Sequence, residues 1–189
     1  MIDEVLAVTA TGEIAHEIDT EIILDMKAQA NPAIAIDNWD MTAPVGVSLR
    51  DHYDSFLPII TEAQNKIYQA TNRARGNFIV CGTTVATVIQ SIRNFEASGV
   101  TDTVGPYFAG TLPDGTKVYV APAFDPDEYM IGYKGSGLFD AGYFYCPYMP
   151  ISMTDLVTLE DFATRRGWAT QYGKAMIQPK YYLTGRITR

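Results

Sequence analysis

A chain of 189 residues, 47% of them apolar, can fill one real core or two closely joined lobes, which excludes a disordered segment and a disulfide-stapled mini-protein. Only 19% of residues are charged, below the usual quarter, so part of the roughly 9,000 Å² of folded surface expected for this mass is uncharged and free to be buried against partners. The net charge of −8 excludes the basic footprint of a protein that grips nucleic acid by counterion release.

From Ile2 to about Ala28, Leu6, Ala10, Ile14, Ile18, Ile22 and Met26 recur every four residues with Glu13, Glu17, Glu21 and Asp25 on another face, the pattern of a long amphipathic helix. Asn31-Pro32 ends it, because a residue before proline avoids the helical region. Residues 31 to 47 have no clear period and carry Pro32, Pro44 and Gly46, which reads as a connection between lobes. Ser48 then caps a second helix to about Arg73, with Phe56, Ile59, Ile60, Ala63, Ile67 and Ala70 on one side and Pro58 kinking it or starting its regular part.

Asn77 to Cys81 is a short apolar strand, and Thr83 or Thr84 starts a third helix whose inner stripe runs from Val85 through Val88, Ile89 and Ile92 to Phe95 before Gly99. Strands follow: Tyr107 to Leu112 and Thr116 to Ala121 form a hairpin around Pro113-Asp114-Gly115, then come Glu128 to Tyr133 and Gly142 to Tyr148. Asp155 to Thr164 reads as a short acidic helix or loop, and Gly167 to Ile177 and Tyr181 to Thr188 as two long strands. Helix, strand, helix and then strands make an α/β lobe followed by a β-rich region.

Residues 1 to 62 hold twelve acids against two bases, and residues 63 to 189 ten against twelve. That asymmetry suits pairing between copies of the chain, and equally a solvated helix face. Cys81 and Cys146 sit in apolar runs without metal-ligand spacing and read as buried free thiols of a reducing compartment. With no leader-like segment, lipidation motif or apolar run near eighteen residues, the expectation is a soluble chain inside the cell.

A nucleophile-base pair needs a histidine, and His16 and His52 both fall in helical patterns beside acids, where surface roles are expected. The stretch Gly132 to Gly137 (GYKGSG) invites a phosphate-loop reading but lacks the GxxxxGK[ST] spacing and a following helix. Asp125 to Glu128 reads as a turn, lacking an EF-hand's alternating ligands and glycine. No catalytic residue, cofactor or metal site is assigned. On residues alone the chain is an oligomeric α/β plus β protein, with a small α/β enzyme having a ligand site near Gly132–Gly137 as the alternative.

Three segments carry a resemblance. Arg75 to Val88 (RGNFIVCGTTVATV), with Gly76, Asn77 and Phe78, resembles a strand-to-helix segment in the major capsid proteins of T-even-type tailed bacteriophages. Tyr129 to Pro150 (YMIGYKGSGLFDAGYFYCPYMP) resembles their central signature, with Gly132, Tyr133, Lys134, Gly135, Asp140, Ala141, Gly142, Tyr145, Pro147 and Tyr148 matching ten of seventeen positions. The helix at His16 to Met26 is similar to the one preceding that lineage's apical lobe, and the segment from Arg165 onward is similar to the long strand, Pro-Lys turn and closing strand that end Hong Kong-type capsid subunits.

The resemblance implies an α+β, two-lobed tailed-phage major capsid fold. A peripheral lobe with a spine helix would take residues 1–45 and 152–178, and an axial lobe residues 46–151, with 179–189 as its closing strand. It also implies a non-enzymatic virion protein that self-assembles as hexamers and pentamers around double-stranded DNA, with scaffold, portal and decoration proteins as further partners and no membrane. A vertex, tail or baseplate protein is the neighbouring reading. Family chains are longer and begin with an arm and an extended loop that match nothing here, so the expectation is a fragment or cleaved subunit, with a divergent truncated relative as the alternative.

Overall fold

The computed structural model describes residues 2–31, 36, 38–99, 105–137, 140–158 and 164–188. Helix α1 (Ile2–Gln29) is continuous through Gly12. It does not present one apolar stripe. Steps of four residues advance about 40° around a helix of 3.6 residues per turn, so Leu6 and Met26, five steps apart, face opposite ways. Val5, Leu6 and Val8 are accordingly exposed, while Ile23 and Met26 pack on the core.

Eleven strands and four helices follow the sequence pattern with specific departures among the described residues. Strand β1 (Trp39–Asp40) precedes α2 (Leu49–Asp54) and α3 (Phe56–Thr71). The expected single helix is broken at Ser55, and Pro58 falls in the first turn of α3, where its missing N–H costs nothing. Trp39 ties the break together: its indole N–H donates to Ser55 Oγ at 3.1 Å, and its ring packs on His52 at 4.7 Å and Phe56 at 5.1 Å.

Strand β2 (Phe78–Cys81) leads into α4 (Thr83–Gln90), which stops well short of Gly99. The reason is local. Ser91 Oγ bonds back to the Thr87 carbonyl, the Arg93 N–H donates to Asp54 Oδ1 at 3.0 Å, and Asn94 adopts a left-handed conformation, turning the chain into β3 (Glu96–Ala97). Ile92 and Phe95, placed on the helix stripe by sequence, reach the core from this turn instead.

Strands β4 (Tyr107–Thr111) and β5 (Lys117–Val120) form the expected hairpin, its turn held by the Thr116 N–H on Asp114 Oδ1. With β6 (Glu128–Gly132) and β11 (Tyr182–Thr188) they complete a seven-stranded mixed sheet in the order β1-β11-β6-β2-β5-β4-β3. Its centre is β2 and β6, near-continuous apolar runs buried on both faces, as strands covered on both sides require. Phe56, Ile60 and Ile67 of α3 and Val85 and Ile89 of α4 bury against Ile79, Met130, Ile131 and Leu183.

The remaining strands leave this body. β7 (Tyr143–Met153) pairs antiparallel with β10 (Trp168–Met176), and the short pair β8 (Val157–Thr158) and β9 (Thr164–Arg165) continues the ladder beyond them. The acidic helix or loop expected from Asp155 to Thr164 is therefore flanked by strand pairing, with residues 159–163 outside the described residues. β7 reads straight across the lobe boundary expected at 151/152, and β1, inside the first peripheral segment, belongs to the sheet. Two register shifts leave Tyr148 unpaired and 85% exposed.

The total accessible surface is 11284 Å², about a quarter above the roughly 9,000 Å² of a compact chain this size.

Candidate functional site

Ten of the thirteen resemblance residues converge where the hairpin leaves the sheet. The Asn77 side chain acts as a short strand: its amide donates to the Lys134 carbonyl at 2.7 Å and its oxygen accepts the Lys134 N–H at 3.0 Å. Phe78 lies across Gly132, where an added Cβ would collide with its ring, and Gly76 sits against Ile131. Tyr133 meets Tyr181 edge-on at 5.3 Å.

The glycine loop is closed on itself. The Gly135 N–H donates to the Asp140 carbonyl at 2.9 Å and the Asp140 N–H to Gly137 at 3.1 Å, while Arg73 holds Asp140 Oδ1 at 2.8 Å and Ala141 bridges back to Lys134. The amides of Lys134 and Gly135 that a phosphate would need are thus already committed. Gly142 ends the junction: its carbonyl accepts from Ile177 at 2.8 Å and Gln178 at 3.1 Å, and a Cβ there would come within 2.6 Å of the Tyr182 ring.

Tyr145, Pro147 and Tyr148 lie apart from that junction, on the hairpin. Tyr145 packs on Tyr172 at 5.2 Å, Pro147 stands opposite Tyr172, and Tyr148 projects into solvent. Pro147 and Pro150 carry no N–H, which weakens β7 as a template for strand addition. β7 has no charged residue and β10 only Lys174, yet most of both strands is exposed.

One polar cluster escaped sequence reasoning. Glu21 and Asp25, four apart on α1, face Tyr172 and Lys174, two apart on β10, and Tyr143 of β7. Lys174 Nζ lies 2.8 Å from Glu21 Oε1 and 3.6 Å from Asp25 Oδ2; Tyr143 donates to Asp25 Oδ2 at 2.8 Å and Tyr172 to Glu21. The Lys174 bond holds Glu21 below the usual carboxylate range, and the Tyr143 bond does the same for Asp25. Burial and the Asp25 carboxylate push Tyr143 up, and Glu21 raises both Tyr172 and Lys174. The spacings i,i+4 and i,i+2 put each pair on one face, but nothing in the sequence says the faces meet. Arg165 and Arg166 sit exposed towards the hairpin's far end, away from these acids.

The histidines have structural roles: His52 Nε2 bonds the Asp40 carbonyl at 2.7 Å under Trp39, and the His16 ring lies against Gly105. Cys81 is buried, its thiol pushed up to about 12 by burial, whereas Cys146, expected to be buried, is exposed on β7. Among the described residues no group of three or more His, Cys, Asp or Glu could hold a metal, and no helix is long and apolar enough to cross a membrane.

The family described as "Major capsid protein Gp23" matches residues 1–188. The chain belongs to that family. Major capsid proteins of Enterobacteria phage T4 and Vibrio phage KVP40 are each 28% identical to it across 90% of the chain, and that of Salmonella phage ViI is 32% identical across 62%. The chain spans about a third of the length of these relatives: 36%, 37% and 29%. In fold it is similar to a chain of Mycobacterium phage Che8, with a TM-score of 0.60 at 15% identity, covering 96% of this chain and 62% of that one. A virus-like particle from Pyrococcus furiosus gives 0.50 at 8% identity, covering 90% and 62%. The family and the α+β fold implied by the resemblance are therefore both met, and the enzyme reading finds no support in them.

Proposed function

We propose that the chain is a shell-forming region of a phage major capsid protein, working by self-assembly with no catalytic step. Family membership supports this, and the observation that carries it is the β7–β10 hairpin: twenty residues with one charge, exposed on a chain whose surface exceeds that of a compact monomer. An isolated two-stranded hairpin is marginal in water, so a partner has reason to cover it. Obligate interfaces bury about 2,000 Å² or more, the scale of the excess surface.

In this reading the peripheral lobe is α1 with the hairpin and the axial lobe is the seven-stranded sheet with α2 to α4. The residues from Gly76 to Gly142 set the junction between lobes, and Tyr145, Pro147 and Tyr148 shape the surface offered to neighbours. Copies close into hexamers and pentamers of an icosahedral head around double-stranded DNA, with heterologous contacts forming the rings. Scaffold, portal and decoration proteins are its further partners, and the virion is its location.

Light scattering and negative-stain microscopy of the protein test this directly. Capsomers or shells are expected at high concentration; a strict monomer there would overturn the proposal.

A further inference from the structure

The hairpin meets the rest of the described chain at two joints. One is its base, where the chain crosses at Gly142 and again at Ile177 and Gln178, joined by the two amides that donate to the Gly142 carbonyl. The other is the cluster on its flank, where α1 supplies two carboxylates and the hairpin three donors. All four carboxylate oxygens are engaged: Asp25 Oδ1 by Gln29 at 2.7 Å, Asp25 Oδ2 by Tyr143 and Lys174, Glu21 Oε1 by Lys174 and Glu21 Oε2 by Tyr172.

We propose that Glu21, Asp25, Tyr143, Tyr172 and Lys174 form a detachable clasp that fixes the angle of the hairpin to α1, and that the hairpin swings about Gly142 and Ile177 when it opens. The two joints differ in kind. The base is packed under Tyr181 and Tyr182, both buried, so it holds its shape. The clasp is polar and reaches solvent: Glu21 and Lys174 are exposed, and Asp25, Tyr143 and Tyr172 half-buried, Tyr143 also touching the core. Glu21, Tyr172 and Lys174 rehydrate when parted, so opening carries less of the penalty that locks a fully buried network, with Tyr143 the member that burial holds most. On the hairpin's opposite face Phe144 is half-buried beside a cavity it shares with Thr71 and Arg73, while Cys146, Gly173 and Ala175 are exposed, so among the described residues little beyond Phe144 resists the motion.

The lever is long. Ser152 lies ten residues from Gly142, about 33 Å along the strand at 3.3 Å per residue, so a 20° swing displaces it by roughly 10 Å. The motion belongs to a single chain, whatever that chain assembles into.

Spin labels at Glu13→Cys on α1 and Ser152→Cys on β7, in a Cys146→Ser background, report this angle by pulsed electron-electron distance measurement, with unlabelled chain in excess so that only distances within one chain are read. Cys81 stays unlabelled because it is buried. One narrow distribution is expected for the intact clasp and at least a twofold broadening for Glu21→Ala/Asp25→Ala, with helix content by circular dichroism unchanged. Tyr143→Phe and Lys174→Met, milder changes that keep side-chain bulk, each give a smaller broadening and serve if the double variant misfolds. An unchanged distribution in the folded variants, or a broad one with the clasp intact, overturns the proposal.

Discussion

Strand β6 (EYMIG) and strand β7 (YFYCPYMPISM) are both mainly apolar and opposite in fate: four of five residues of β6 are buried and none of β7 is. An apolar strand shows that something covers it, and the cover need not belong to the same chain. β6 lies inside a sheet packed by α3 and α4. β7 has one neighbour strand, with α1 holding its flank through the polar clasp. Stability therefore belongs to the body, and the hairpin is left for other contacts.

Substitutions can break or sharpen that contrast. Phe56→Ala has the largest expected effect: the ring is fully buried between Trp39 and Tyr129, and its loss costs about 3–5 kcal/mol, lowering the thermal midpoint by roughly 10 °C in calorimetry. Gly82→Ala comes next, at about 1–3 kcal/mol by denaturant titration, because a Cβ there meets the carbonyl oxygens of Asp125 and Pro126 at the start of α4.

The clasp has its own pH signature. Glu21 and Asp25 are lowered in the folded chain, so their contribution is complete above the ordinary carboxylate range and disappears as pH falls through the lowered values. Tyr172 and Lys174 are raised, so theirs is complete below about pH 10 and is lost as pH rises through the raised values. The label distance should hold constant between about pH 5 and 9 and broaden only once the pH has fallen beneath the ordinary carboxylate range; a change near neutrality would contradict this assignment. Smallest is Tyr148→Ser: the side chain is 85% exposed, so the melting midpoint of the isolated chain moves by less than about 0.5 kcal/mol equivalent, while light scattering is expected to show weakened assembly. Equal loss of both would place Tyr148 in the fold of the single chain.

Much of the body was legible. The β4–β5 turn and the strands β2 and β6 follow from local chemistry, and the glycines of GYKG mark places where Phe78, Tyr133 and Asp140 come too close for a Cβ. What misled was long-range. Fourfold spacing on α1 looked like a stripe because the drift around the axis accumulates over turns. Cys146 looked buried because its neighbours are apolar. The end of α4 was set by Asp54, thirty-nine residues away, taking the Arg93 amide.

The sequence by itself determined where most of the long strands and helices form, many of the residues that fill the sheet's core and, through the GYKG and DAG stretches, the resemblance to the family, since these depend on neighbours a few residues apart. Only the tertiary structure decided that Glu21 and Asp25 face Tyr143, Tyr172 and Lys174 across more than a hundred residues, and that the apolar β7 is left uncovered. Pairing between distant faces depends on how elements are set against one another in three dimensions, and local periodicity carries no record of that.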